Sequence, residues 1–285
     1  MDARGALTLN IRTMSALAEP MGPVIIRPRT RGIRSFLIDT LLLTRRNLLL
    51  TIRTPELVVF AAIVPIMFVL LFRYVFGGSI KVPGYTSYVD YLMPGIIVQT
   101  ALFGGSSSAV AVAEDFAKGI TDRFRSLPTN RAAILAARTF ADLVRLTYTM
   151  GLMVAIGLLV GFRFHNSVLP ILAGFGIALL FGYACSWLFT LVGLTVRNAE
   201  SATLVGFLLT FPLVFAASTF TSTRLMPGGL RAFADNQPVT QVANALRALT
   251  HGSGVTWSVA FHAVAWSAGI LIVAASLATW KFRKT

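Results

Sequence analysis

The feature that most constrains this chain is a set of long stretches without a charged side chain. One of them runs from 164 to 196 and contains no Asp, Glu, Lys or Arg. A helix of about 20 apolar residues crosses the hydrocarbon core of a bilayer, and helices satisfy their backbone polar groups there without water. Charged residues form only 13% of the sequence, against roughly 25% in an average soluble protein. We therefore predict an all-α integral membrane protein.

Several stretches combine this length with few charges. The predicted transmembrane spans are 57–76, 91–113, 139–162, 168–193, 201–220 and 255–280. The polar residues before them contain prolines, but they lack an apolar run of the roughly 7–15 residues that a secretory signal needs. We therefore expect a disordered cytoplasmic tail over 1–32 and a transmembrane domain over 33–285.

The segment 33–54 lies between the tail and the first span, and it mixes leucines with arginines. Leu37, Leu41 and Leu48 recur at helical spacing, and Arg45 and Arg46 lie between them. A helix of this kind lies in the headgroup layer of a membrane while its arginines reach water. We predict such an interfacial amphipathic helix. The alternative is a partly buried helix at a subunit contact.

The distribution of Lys and Arg predicts how the spans are oriented. Most of the basic residues lie in 1–56, in the connection 114–138 and after residue 280, which six spans place on one side. Cytoplasmic segments carry such an excess, so both termini are expected in the cytoplasm. The net charge of +14 is then explained by orientation and by anionic membrane lipid, and a nucleic-acid partner is not expected.

Residue types that enzymes need are sparse in this sequence. Each of the four lysines follows a residue other than glycine, so there is no P-loop and the chain is not expected to be an ATPase by itself. The one cysteine, Cys185, excludes an internal disulfide and is predicted to be a small buried apolar residue. His165, His251 and His262 are expected to be isolated from one another and from carboxylates. We therefore predict no catalytic residues and no metal site.

Two connections are long for a compact membrane protein, 114–138 and 221–254, and long loops often carry function. In the first, Phe116, Ile120 and Phe124 follow helical spacing among mixed charges. This pattern predicts a short amphipathic helix that rests on a partner protein or on the membrane. A solvated hairpin is the alternative.

Three ionisable residues lie at the start of the third span. Asp142 and Arg145 are three residues apart, and Arg138 precedes Asp142 by four. Ionisable residues within a span indicate function by default. Near a span end, however, they can pair and reach water at low cost. We therefore favour a structural ion-pair set over a substrate site.

Small residues four apart predict close helix contacts in two spans. They are Gly157 and Gly161 in the third span, and Gly174, Ala178 and Gly182 in the fourth.

Three motifs carry a resemblance to a known family. The stretch 118–128, KGITDRFRSLP, is followed by Arg131, Arg138 and Asp142. It resembles the loop between the second and third spans of type-2 ABC exporter permeases, and it is closest to the daunorubicin/doxorubicin-resistance subgroup. YLMPG at 91–95, and NQPVT at 236–240 with the ALR that ends at Arg247, are also similar to that subgroup. The chain departs from the family at Ala136 and Ala137, where glycine is common.

The resemblance implies a coupling role for the connection 114–138. In such exporters a helix there docks in a cleft of a separate ATPase subunit and passes ATP-driven closure to the spans. Carried over by position, the coupling residues are Glu114, Gly119, Asp122, Arg123, Arg125 and Pro128. The partner subunit would use ATP and Mg²⁺, so this chain is expected to be no enzyme and to bind no cofactor. The family also has short outer re-entrant helices before its sixth and last span.

The resulting hypothesis is the permease subunit of an ATP-driven exporter in the bacterial cytoplasmic (inner) membrane. It would act as a homodimer or as a heterodimer with a related permease. The cargo is expected to be a hydrophobic or amphiphilic drug, antibiotic or lipid, because the second, fourth and fifth spans carry no charge. Export of a lipid-linked polysaccharide is the alternative within transport, and a non-transporting membrane scaffold is the alternative outside it.

Overall fold

The computed structural model of the chain describes residues 33–52, 55–80, 82–85, 87–118, 131–252 and 257–284. Over these ranges the regular secondary structure is entirely helical, which confirms the predicted all-α class. The predicted disordered tail, 1–32, lies outside the described residues.

The described chain forms nine α-helices, two of them short. They are α1 Ile33–Ile52, α2 Pro55–Leu70, α3 Tyr88–Ala117, α4 Arg131–Val160, α5 Val168–Gly193, α6 Ala199–Phe215, α7 Gly228–Asn236, α8 Pro238–His251 and α9 Trp257–Lys284. A π-helical segment, Leu71–Phe76, continues α2, and a 3-10 turn, Thr223–Leu225, precedes α7. We refer below to the α1 end of the bundle, where α3 ends and α4 begins, and to the α8 end, where α3 begins and α4 ends.

Helix α3 is the centre of the bundle. It is the most buried of the long apolar helices, and it packs against α4, α5, α6 and α8. Small residues permit its close contact with α5. A Cβ atom added at Gly105 would lie 2.9 Å from Cys185 Cβ, and one added at Gly193 would lie 2.6 Å from the carbonyl oxygen of Ala109. Cys185 is buried in this contact as a small apolar residue, as predicted.

Each predicted span overlaps a helix, and among the described residues four helices are long and apolar enough to cross a membrane. These are Tyr88–Ala117, Ala133–Val160, Val168–Gly193 and Trp257–Phe282, while the apolar helices Ile63–Phe76 and Ala199–Phe215 are shorter.

The fifth predicted span, 201–220, is longer than the helix observed there. Helix α6 ends at Phe215 and is followed by a turn over 216–219. The turn is stabilised from α8, because Thr240 Oγ1 accepts a hydrogen bond from the backbone N–H of Ser218 at 3.1 Å. The sequence stays apolar past Phe215 because the turn is buried in protein. Burial in protein and burial in lipid both favour apolar side chains, so hydropathy does not distinguish the turn from the span.

Helix α1 lies across the start of α4. The Thr44 hydroxyl donates to the carbonyl oxygen of Ala137 at 3.2 Å, and Ala137 is fully buried. Alanine therefore suffices for close packing at this position, where the family often has glycine. Elsewhere on α1, Leu37 and Leu41 are exposed, the latter by 74%. This amphipathic helix is consistent with the predicted interfacial position, which stays a prediction.

The two small-residue patterns have different outcomes. In α5, Gly174 faces Leu246 and Gly182 faces Leu146, each at a contact too close for a Cβ atom, so the predicted packing face is confirmed. In the third span only Gly157 lies at such a contact, against Met93. Gly161 does not pack against a helix as we predicted. It ends α4 with φ +108°, a conformation that glycine adopts at low cost.

Candidate functional site

Two polar clusters lie at opposite ends of α3, and the first surrounds the base of the connection 119–130. Glu114, in the last turn of α3, pairs with Lys118 at 2.8 Å on the surface. The hydrogen bond from Lys118 and the negative charge of Glu114 raise the pKa of Lys118. The other predicted coupling residues lie outside the described residues. They are Gly119, Asp122, Arg123, Arg125 and Pro128.

Ion pairs and hydrogen bonds join α3 to α4 at this end. Arg138 of α4 donates to the carboxylate of Asp115, three residues before the connection. About one turn further into the bundle, the Ser108 hydroxyl donates to Asp142 Oδ2 at 2.5 Å. Arg145 lies 3.2 Å from Asp142 Oδ1, which confirms the predicted pair.

Arg145 also binds α3 directly. Its Nη2 atom donates to Ser107 Oγ at 2.6 Å and to the Gly104 carbonyl oxygen at 3.1 Å. We call the complete set the α3–α4 polar ladder. Its members are Gly104, Ser107, Ser108, Asp115, Arg138, Asp142 and Arg145.

The ladder corrects one sequence-based expectation and extends another. Arg138 forms its ion pair with Asp115 on α3, not with Asp142 four residues along α4. The reason is that Asp142 is already taken by Arg145 and Ser108. The Gly-Ser stretch 104–108 had not been assigned a function from the sequence. The one sequence feature that pointed to this contact was the presence of hydroxyl groups in the second span and of charged residues in the third.

The second cluster lies at the α8 end and is built around a buried arginine. Arg247 of α8 is 2% exposed. Its guanidinium group donates to three backbone carbonyls and two side-chain oxygens. The acceptors are Tyr91 O at 2.8 Å, Ser218 O at 2.6 Å, Thr219 O at 3.2 Å, Ser218 Oγ at 2.9 Å and Asn244 Oδ1 at 2.9 Å.

An aromatic ring completes the surroundings of this cation. The guanidinium carbon lies 3.8 Å from the ring centroid of Tyr91, close enough for a cation–π interaction. The Tyr91 hydroxyl donates to the Ser218 carbonyl at 2.8 Å, and the Tyr88 hydroxyl donates to the Phe220 carbonyl at 2.7 Å. The carbonyl groups that accept from Arg247 and the face of the Tyr91 ring stabilise the positive charge of the guanidinium group. None of the five acceptors is a carboxylate.

Helix α3 approaches this cluster too closely for any side chain. A Cβ atom at Gly95 would lie 2.5 Å from the Thr219 carbonyl oxygen and 2.9 Å from Arg247 Nη2. We call Tyr91, Gly95, Ser218, Thr219 and Arg247 the arginine clasp. It joins the start of α3, the turn after α6 and the middle of α8 into one rigid unit.

The clasp brings together two motifs that are about 150 residues apart in the chain. Tyr91 and Gly95 belong to the YLMPG stretch, and Arg247 ends the ALR stretch. The NQPVT stretch is bound to the same turn, because Gln237 Nε2 donates to the Ala216 carbonyl at 2.8 Å. In the sequence Arg247 lies in the long connection 221–254. In the structure it is instead an internal connector.

His165 and His251 are not isolated, so the prediction was wrong for these two histidines. Asp90, His165 and His251 each place one potential ligand atom within 4.8 Å of the others. The rings of His165 and His251 have centroids 4.7 Å apart. The start of α3, the loop 161–167 and the end of α8 meet here, and spacing along the sequence gives no sign of that meeting. His262 lies on α9, and its Nδ1 atom is 2.6 Å from the Ser258 carbonyl oxygen.

The sequence of the chain is similar to those of known membrane transporters. The model of the ABC-2 type transporter family matches residues 39–250. The chain is 30% identical over 229 residues to the daunorubicin resistance ABC transporter permease protein DrrB1 of Streptomyces coeruleorubidus, which covers 80% of each chain. It is 28% identical over 260 residues to the probable doxorubicin resistance ABC transporter permease protein DrrC of Mycobacterium tuberculosis, covering 90% of this chain and 92% of that one.

The family match covers both polar clusters and both motifs of the clasp, since all of them lie within 39–250. The all-helical bundle with its long apolar helices is what a multi-pass membrane permease requires. In this family the ATPase is a separate subunit, so an ABC ATPase partner is implied. The chain belongs to the ABC-2 type transporter family and is a membrane permease component of an ABC transporter.

Proposed function

We propose that this permease moves a hydrophobic or amphiphilic compound outward across the bacterial cytoplasmic membrane, driven by a separate ATPase subunit. The α2–π-helical segment, α3, α4, α5, α6 and α9 would be its six spans, with both termini in the cytoplasm. Helices α7 and α8 would be the outer re-entrant helices. The contacts support this alternation, because Phe116 of α3 and Phe282 of α9 pack together at the α1 end and His165 and His251 meet at the α8 end.

The observation that carries the proposal is the α3–α4 polar ladder at the base of the connection 119–130. A docked ATPase subunit would pull on this connection. The Asp115–Arg138 pair lies where the connection leaves α3 and enters α4, so a displacement would reach both helices together. Deeper contacts, from Asp142 and Arg145 to α3, would then carry it into the membrane.

The nature of the cargo is supported by the names of the relatives and by an aromatic stripe. Phe207, Phe211 and Phe215 follow one another along α6 with ring centroids 5.1 and 4.3 Å apart. The stripe continues through Phe220 to Phe72 of the π-helical segment, at 5.6 and 4.4 Å. The α6 members are exposed by 44–58%. A stripe of this kind can stack a planar amphiphile such as an anthracycline.

Two copies, or one copy with a related permease, would assemble so that these exposed apolar helices enclose the cargo path. Within the part of the chain that the structure describes, the α6 and α4 faces expose large apolar residues that one copy leaves unpacked. Lipid would cover the remaining apolar surface.

The experiment measures daunorubicin accumulation in bacterial cells that express the permease together with its copurifying ATPase. We expect lower steady-state accumulation than in cells whose ATPase lacks its P-loop lysine. Phe211→Ala is expected to raise accumulation several-fold while leaving the amount of membrane protein unchanged. Equal accumulation with active and inactive ATPase would contradict drug export. Lipid-linked glycan that is retained inside only when the ATPase is inactive would support the polysaccharide alternative.

A further inference from the structure

The cluster of Asp90, His165 and His251 has the donor set of a transition-metal site. Imidazole nitrogen and carboxylate oxygen are both common zinc ligands. One such atom from each residue lies within 4.8 Å of the others. Asp90 is 4% exposed, whereas the His165 side chain is exposed at the surface of the α8 end. The cluster therefore has a buried carboxylate, that of Asp90, and is open to the surface at His165.

The backbone around the cluster is already fixed. The Arg163 N–H donates to Asp90 Oδ1 at 3.0 Å, which orients that carboxylate and leaves its second oxygen for a cation. The loop 161–167 is also bound to the last turn of α8, because the His165 N–H and the Asn166 side chain donate to carbonyls there at 3.0 and 3.1 Å. Metal ligands are held in this way by hydrogen bonds of the surrounding shell.

The electrostatics of the cluster favour a cation. His251 lies in the last turn of α8, where the carbonyl end of a helix carries partial negative charge. Its Nδ1 atom is buried and has no hydrogen-bond partner among the described residues. Two arginines are near, but their guanidinium groups are engaged elsewhere. Arg163 donates to the carbonyls of Leu158, at the end of α4, and of Phe162, and Arg247 is held in the arginine clasp.

We propose that Asp90, His165 and His251 bind one Zn²⁺ ion at the outer end of the permease. Tetrahedral zinc with bonds of about 2.0–2.2 Å places its ligand atoms about 3.3 Å apart. The ligand atoms must therefore approach one another by at most about 1.5 Å, which rotation of the exposed His165 side chain assists. Water takes the fourth position. The ion would tie the start of α3, the loop 161–167 and the end of α8 together beside the arginine clasp.

The test is zinc titration of the purified full-length protein in mild detergent. The protein carries no histidine tag and is first treated with EDTA. We expect one Zn²⁺ per chain by calorimetry, and a higher thermal unfolding midpoint when zinc is added. His165→Ala and His251→Ala should each weaken binding at least tenfold. His262→Ala is the matched control, since His262 is an exposed histidine outside the cluster, and it should bind zinc as the wild type does.

The result that overturns the proposal is equal zinc affinity in the wild type and His165→Ala, or no stoichiometric binding by the wild type. Unfolding midpoints measured in EDTA show whether each variant is folded, and His165→Ala removes only an exposed side chain. The measurement requires no transport, so it succeeds or fails independently of the proposed export activity.

Discussion

Replacement of Arg247 by methionine tests whether the arginine clasp holds α8 against α3 and the turn after α6. Methionine keeps most of the side-chain volume but removes the charge and every donor. The carbonyls of Tyr91, Ser218 and Thr219 would each lose the hydrogen bond from Arg247 while still buried, and Ser218 would keep only the one from the Tyr91 hydroxyl. Each loss costs about 1–1.5 kcal/mol, and the lost contact with the Tyr91 ring adds about 0.5–1 kcal/mol.

These are net values from mutational series, which already include desolvation of the guanidinium group, and they sum to roughly 4 kcal/mol. A loss of about 4 kcal/mol lowers the unfolding midpoint by about 8–12 °C, since each kcal/mol shifts it by about 2–3 °C in a chain of this size. The assay is thermal unfolding in mild detergent at one fixed heating rate, because membrane proteins commonly unfold irreversibly.

Arg231→Met is the matched control for this experiment. Arg231 forms a surface pair with Asp235 at 3.4 Å, and both side chains are more than 40% exposed. Such pairs contribute under about 1 kcal/mol, so its midpoint should fall by no more than about 2 °C. Equal midpoints for Arg247→Met and Arg231→Met would refute the reasoning about the clasp.

The structure makes further predictions. Gly95→Ala should lower the unfolding midpoint by several degrees, because the new methyl group meets the Thr219 carbonyl oxygen at 2.5 Å. Gly151→Ala, at an open helix position, should be neutral or stabilise by up to about 1 kcal/mol, and the reverse order would count against the predicted contact. Arg138→Asp should reduce drug efflux while the ATPase subunit still copurifies. The charge exchange Arg138→Asp with Asp115→Arg should restore efflux, and failure to do so would show that their pairing is not what couples the helices.

The helices could be predicted from the sequence because lipid-buried segments must be both apolar and long. All six predicted spans overlap helices for that reason. The ends of the helices were less predictable. Helix α4 begins at Arg131, before its apolar stretch, and α6 ends at Phe215 within one. At the end of α6 a contact with another helix, not hydropathy, sets the boundary. Thr44 of α1 binds the first turns of α4, and Thr240 of α8 binds the turn after α6.

The two polar clusters show where sequence reasoning ends. The Asp142–Arg145 pair could be predicted because both residues lie on one helix face. The pairing of Arg138 with Asp115 depends on how two helices are arranged, so the spacing along α4 favoured the wrong partner.

The arginine clasp and the histidine cluster depend on contacts across more than 70 residues of chain. A single sequence carries no signal for such contacts. The resemblance had marked both motifs of the clasp, but not that they meet. Asp90, one residue before Tyr91, had drawn no attention because the two histidines beside it come from a distant loop and from the end of α8.

We propose that this permease works with a separate ATPase through the connection 119–130. The most direct measurement is affinity purification of the tagged protein from its native membranes in mild detergent, with copurifying chains identified and quantified by mass spectrometry. We predict one P-loop ATPase subunit per permease chain, and loss of that subunit when 119–130 is replaced by a Gly-Ser linker of equal length. Recovery of the permease alone, or with partners that carry no P-loop, would contradict the account.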